Sequence, residues 1–253
     1  MNPTTPQVSV HPSIILRPCD ECGEPFASQP FVLQGRLIHP QRYCESCLAR
    51  HEQAQARERE EREAARLQEA WERLCPPIYR DTDPLRLPCS RGVRETVLGW
   101  HYGPKGLLLH GPTSSGKSRL VYLLLSRLHH IEHRKIAAMT STTFSHQIAT
   151  LFGEGSGRGE AFIGRLADIE VLFLDDIGKG RFTDRVEAEF FHVIEQRCAN
   201  LLPTLLTTNL TGEALRSTWS PDRAQPLVRR LREFFLAVPV LPETPASKSE
   251  VPQ

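Results

Sequence analysis

The chain has 253 residues, 40% of them hydrophobic and 24% charged, which suits one large domain or two unequal ones and excludes disorder along its whole length. With 31 basic and 30 acidic residues the net charge is +1, so no global field marks a nucleic-acid binder, although a local basic stripe would be averaged away. No apolar run approaches the ~18 to 20 residues of a membrane span. The start, Met1-Asn2-Pro3-Thr4-Thr5-Pro6, has neither the basic nor the apolar part of a signal peptide. A cytoplasmic protein without membrane contact is expected.

Residues 1–18 are polar and proline-bearing and read as a flexible leader. Residues 19–47 hold two CxxC pairs, Cys19-Asp20-Glu21-Cys22 and Cys44-Glu45-Ser46-Cys47. Seven cysteines is an odd number, and with no export signal the pattern argues against a disulfide framework. Four thiolates at this spacing close a tetrahedral Zn²⁺ site, each pair clasping the metal from one knuckle and Gly23 supplying the turn after the first. His39 is the alternative to one cysteine, and a pair of redox dithiols would need a βαβ surrounding that is missing. Cys75, Cys89 and Cys198 read as buried or spare thiols. The segment has too little apolar material for a core of its own, so zinc would fold it as a small ribbon-like module. Its charges, Arg36 and Arg42 against Asp20, Glu21, Glu24 and Glu45, favour a protein partner over DNA.

Residues 48–75 read as a helical linker. Neither proline nor glycine interrupts Leu48 to Leu74, and from Gln53 to Ala65 almost nothing is apolar, so the helix is exposed on all sides. Six arginines against seven glutamates from Arg50 to Arg73 nearly cancel, which favours a solvated connector over a DNA-binding arm. Leu67, Ala70, Trp71 and Leu74 form a short apolar stripe before Pro76-Pro77 ends the helix.

From residue 76 the pattern alternates. Strands are predicted at Leu107 to His110, Lys135 to Thr140, Val171 to Leu174 and Thr204 to Thr207, and helices at Lys117 to His130, Thr142 to Leu151 and Arg185 to Cys198. Such alternation implies a parallel sheet covered on both faces. Gly153 to Gly159 reads as a mobile loop, with Arg158 and Arg165 near it as candidate DNA contacts, and the tail 238–253 as unstructured.

Gly111-Pro112-Thr113-Ser114-Ser115-Gly116-Lys117-Ser118 is a complete GxxxxGK[ST] between an apolar strand and a helix. Its backbone N–H groups and the helix N-terminus would cradle the phosphates of ATP. Lys117 would reach the β- and γ-phosphates and Ser118 would ligate Mg²⁺. The strand Val171-Leu172-Phe173-Leu174 ends in Asp175, placed to hold Mg²⁺, and Asp176, placed to polarise the attacking water. A third strand ends in Thr207-Thr208-Asn209, a polar tip that can orient water or sense the γ-phosphate.

With these motifs, Pro77-Ile78-Tyr79-Arg80-Asp81-Thr82, Leu174-Asp175-Asp176-Ile177-Gly178, Arg197, Pro203 to Leu210 and Arg229-Arg230-Leu231, the segment 76–237 resembles the AAA+ ATPases of the helicase-loader/IstB branch, the DnaC- and DnaI-like proteins. The resemblance implies a P-loop α/β domain, ATP hydrolysis, a sensor role for Asn209, and an arginine finger offered to the next subunit in a head-to-tail assembly. Arg230 is the favoured finger because it precedes leucine as the family's arginine does, and Arg229 is the alternative. It further implies that the N-terminal zinc module grips a replicative helicase, which the ATPase delivers onto single-stranded DNA. Only 21 residues follow Arg232, too few for the usual helical lid, and Asp176 stands where many AAA+ proteins carry glutamate; both predict weak hydrolysis stimulated by a partner or DNA. Two alternatives are an IstB-like transposition helper, which usually lacks such a CxxC pair, and a nucleotide switch or zinc adaptor that scarcely hydrolyses ATP.

Overall fold

The computed structural model describes residues 8–10, 14–33, 36–38, 41–153, 157–179 and 182–242. The alternative ligand His39, the middle of the glycine-rich loop, most of the expected leader and the tail from residue 243 lie outside them. The chain divides into two compact units, 1–66 and 67–253.

In the first unit, short β-branched and aliphatic runs make strands where a flexible leader was expected. β1 (Val8–Val10) begins a three-stranded antiparallel sheet, and β2 (Ile15–Pro18) pairs with β3 (Pro25–Ser28) as a hairpin. β4 (Phe31–Leu33) and β5 (Arg36–Ile38) complete the first sheet in the order β1-β4-β5. α1 (Glu45–Leu74) follows, and residues 52–66 are exposed throughout, as their charge predicts.

In the second unit the last turns of α1 bury Trp71. Its ring stacks on His129 at 5.8 Å, and Leu67 O lies 2.9 Å from the His129 ring. Next come α2 (Pro77–Arg80), a 3₁₀ turn (Pro84–Arg86) and α3 (Arg91–Leu98), whose N-cap Ser90 accepts from the Val93 N–H. The α/β core follows as β6 (Gly106–His110), α4 (Lys117–His130), β7 (Ile136–Thr140), α5 (Ser141–Gly153), α6 (Arg158–Asp168), β8 (Val171–Ile177), α7 (Asp184–Ala199), β9 (Thr204–Thr208), α8 (Gly212–Arg216), α9 (Pro221–Phe234) and β10 (Phe235–Pro239).

The five core strands are parallel, in the order β10-β6-β9-β8-β7. Because alternate side chains of a strand face opposite ways, two cores form. Leu108, Leu172, Leu174 and Leu206 pack with Phe144, Phe190 and Trp219 on one face. Leu107, Leu109, Val171, Phe173 and Leu205 pack with Leu120, Leu124 and Trp100 on the other. Each such buried side chain contributes ~1.5 to 3 kcal/mol over its exposed state. β10 corrects the expected start of the tail: Val238 belongs to the sheet, and the buried Val240 donates its N–H to His110 O at 2.8 Å.

Arg197 is fully buried. It donates to Leu166 O (2.8 Å), Ile169 O (2.6 Å), Pro203 O (2.6 Å) and Thr204 Oγ1 (2.9 Å), tying the end of α6 to the starts of β8 and β9. Burial depresses its pKa to about 10. That end of the sheet is scaffold; the polar strand tips lie at the other.

Candidate phosphate-binding site and cysteine cluster

The loop 111–116 leaves β6 and enters α4 through Gly116, whose φ of +89° a residue with a Cβ would adopt only under strain. Lys117, in the first turn, is nearly buried; its Nζ donates to Gly111 O (3.0 Å), Pro112 O (2.8 Å) and Asn209 Oδ1 (2.8 Å), with Ser115 Oγ at 3.3 Å. Burial pulls its pKa down, and the carboxylates of Asp176 and Asp175 oppose that shift.

The two acids sit in a β-bulge. Leu174 pairs with Leu206 and Ile177 with Thr208, so β8 spends one more residue than β9 over that interval. Asp176 takes up the irregularity at a φ of +60°. The bulge aims the acids differently. Asp175 is buried and accepts from Ser118 Oγ at 2.8 Å and from Thr207 Oγ1. The Asp176 N–H donates to Thr207 Oγ1 at 2.7 Å, Ser141 Oγ donates to Asp176 O at 2.8 Å, and Asn209 Nδ2 donates to Asp176 Oδ1 at 2.8 Å. One asparagine thus bridges the P-loop lysine and the second acid.

These groups line a cleft of about 540 Å³ with Tyr79, Arg119 and Lys179. Tyr79 stacks on Tyr122 at 4.7 Å, and burial first, then the charge of Asp175, raises its pKa. The structure therefore brings together Gly111, Pro112, Thr113, Ser114, Ser115, Gly116, Lys117, Ser118, Asp175, Asp176 and Asn209 around one loop. Arg230 stands apart on α9, paired with Glu195 of α7. Sequence reasoning assigns no separate role to Thr207, Ser141 or Lys179. Thr207 carries a signal as part of the polar tip Thr207-Thr208-Asn209 that ends β9; the other two carry none.

In the first unit the Sγ atoms of Cys19, Cys22, Cys44 and Cys47 lie within 4.8 Å of one another. Tetrahedral Zn²⁺ with Zn–S bonds of ~2.3 Å needs sulfurs ~3.8 Å apart, so the donor set fits a structural zinc ion. Cys19 and Cys22 lie within the β2–β3 turn, and Cys44 and Cys47 flank the first residue of α1. Arg50 Nη2 donates to Cys47 Sγ at 2.9 Å and the Cys44 N–H to Cys19 Sγ at 3.3 Å, contacts that stabilise thiolate charge. Burial opposes charge on Cys19, but the N–H groups of Cys22, Cys44 and Glu21 outweigh it and lower the thiol to about 6.

The parallel sheet thus carries the GxxxxGK[ST] loop after β6 and the two acids at the tip of β8, with β9 between them. No protein-family model and no curated protein matches the sequence. Among solved structures the chain is similar to the DnaC helicase loader, with a TM-score of 0.55 and 20% identity over 66% of this chain and 100% of that one. It is similar to DnaI with a TM-score of 0.54 and 17% identity, covering 66% and 92%. The replication initiator DnaA bound to AMPPCP and single-stranded DNA gives 0.53 and 16%, covering 65% and 50%. Of the DnaA from Aquifex aeolicus the chain spans 44%. At these identities the likeness is one of fold, and to that extent the resemblance to helicase loaders holds. No described helix is long and apolar enough to cross a membrane.

Proposed function

We propose that this chain is a cytoplasmic Mg²⁺-dependent ATPase that loads a replicative helicase onto single-stranded DNA. The observation that carries the ATPase reading is the convergence of Lys117, Ser118, Asp175, Asp176 and Asn209 on one phosphate loop from three neighbouring strand tips. Loop N–H groups and Lys117 bind the triphosphate, while Ser118 and Asp175 would hold Mg²⁺, which neutralises charge developing on the transferred phosphate. Asp176 orients water for attack and accepts its proton, and Asn209 fixes Asp176 relative to Lys117. The loader reading is supported by fold likeness to DnaC and DnaI and by the zinc-fitting module, to which we assign the grip on the helicase. Stacking head-to-tail on DNA would let an arginine of one subunit complete its neighbour's site.

A slow nucleotide switch is the second reading, favoured by the engagement of both Asp176 oxygens, one by Asn209 and the other by Lys179. ATP turnover by the full chain, measured alone, with single-stranded DNA, and with a purified hexameric replicative helicase, separates the two. Stimulation by DNA and helicase, abolished by Lys117→Ala, is the expected result. Turnover unaffected by Lys117→Ala would overturn the site assignment. Absence of stimulation, or binding to a transposase in place of the helicase, would overturn the loader reading.

A further inference from the structure

Among the described residues, four cationic side chains line the phosphate cleft: Arg86, Lys117, Arg119 and Lys179. Three are engaged by partners other than the two acids. Arg86 pairs with Asp83, Arg119 donates to Ile78 O and Thr82 Oγ1, and Lys117 is fixed by loop carbonyls and Asn209. Lys179 is different. Its Nζ lies 3.4 Å from Asp176 Oδ2, and its side chain is 72% exposed.

Asp176 is otherwise clamped. Its N–H, its carbonyl and Oδ1 are engaged by Thr207, Ser141 and Asn209, and its backbone sits at a φ of +60°. Oδ2 is the position where its partner can change without moving the bulge. A lysine–aspartate pair this open to solvent is weakly held, because water and salt screen it. A γ-phosphate offers the same ammonium up to two charges and three acceptor oxygens, a better partner by a clear margin.

We propose that Lys179 is a γ-phosphate-sensing positioning residue: it covers Asp176 Oδ2 until a third phosphate enters the cleft, then moves to that phosphate and leaves Oδ2 open to the attacking water. The inference rests on the ATP-site reading above. It makes nucleotide discrimination and exposure of Asp176 one event. An incidental surface ion pair would do neither.

Calorimetric titration of the full chain with ADP and with AMPPNP provides the test. The proteins compared are the unmodified chain, Lys179→Met, Lys179→Arg, Asp176→Asn and the double variant Lys179→Met/Asp176→Asn. Lys179→Met should weaken AMPPNP binding about tenfold and leave ADP binding unchanged, as expected for loss of one charge-assisted contact to the third phosphate. Lys179→Arg should restore most of the preference. Asp176→Asn should tighten AMPPNP binding about threefold by freeing the ammonium, and this gain should vanish in the double variant. Equal weakening of both nucleotides, or no change in either, would overturn the proposal and leave the ATP site standing. Failure of the unmodified chain to bind either nucleotide would overturn both.

Discussion

The guanidinium of Arg230 grips Glu195 with two parallel hydrogen bonds, Nε to Oε1 at 2.7 Å and Nη2 to Oε2 at 2.9 Å, joining α9 to α7. The favoured finger residue is thus engaged within its own subunit, whereas Arg229 beside it is exposed. To act on a neighbour's phosphate, Arg230 would have to leave Glu195.

Mixing experiments decide between the two arginines. Arg230→Ala and Arg229→Ala are each combined with Lys117→Ala and assayed for DNA-stimulated ATP turnover. The variant that lacks the finger should be inactive alone and regain part of its activity in the mixture, because a mixed interface joins its intact P-loop to an intact arginine. If both still assemble and neither is rescued, the cluster serves another purpose, such as contact with DNA.

The same pair makes stability depend on pH. The hydrogen bond from Arg230 leads in holding the Glu195 carboxyl below its ordinary value of 4.5. A carboxyl depressed in the folded state stabilises above its unfolded value and loses that contribution as pH falls through the folded one. Both side chains are about a quarter exposed, 26% and 28%, so screening limits the effect to about 1 kcal/mol. Urea midpoints of Glu195→Gln should therefore lie below those of the unmodified chain at pH 7 and converge with them below pH 4.5. A gap that stays constant with pH would dismiss the linkage.

Thr207 is the hinge of the acid pair, giving a hydrogen bond to Asp175 and taking one from the Asp176 N–H. Thr207→Val keeps the shape and removes both, leaving the part-buried Asp176 N–H without its partner at a cost of about 1 kcal/mol. We expect a lower melting temperature and a weaker response of nucleotide binding to Mg²⁺, since Asp175 loses the contact that orients it. Unchanged Mg²⁺ dependence would show that Ser118 alone suffices to place that carboxylate.

Metal analysis of the purified chain should return about one zinc per molecule, the content of a closed four-thiolate site. Cys22→Ser should lose it and unfold the first unit, while ATP binding survives because the phosphate site belongs wholly to the second. Zinc-free unmodified protein would refute the assignment.

The candidate phosphate site is legible because its residues are written consecutively at strand and helix boundaries, from Gly111 to Ser118 and at Asp175-Asp176. Where side chains act through the fold, the pattern is silent: nothing in Lys179's surroundings announces that it faces Asp176. The glycines near residue 155 read only in part as a loop. Gly157 takes a φ of +68° as the N-cap of α6, and a Cβ on Gly159 would come within 2.6 Å of the Phe152 ring, so both serve the helix that follows. α9 is hidden by Pro226 inside it, and β10 by the proline-bearing stretch it opens. The strands of the first unit are three or four residues long, too short for alternation to declare itself.

Gly111 opens the phosphate loop, yet a Cβ there would meet Val240 O, just beyond β10, at 2.2 Å. The first residue of the nucleotide motif is consequently also a seam in the sheet's own construction. In a mutational scan, substitutions at Gly111 would register as defects in assembly of the domain before any ligand is offered. Such variants would score like core mutants in an abundance screen, whereas Lys117→Ala would pass that screen and fail only for nucleotide. The motif therefore mixes positions selected for folding with positions selected for chemistry, and an inactive Gly111 variant says nothing by itself about phosphate recognition.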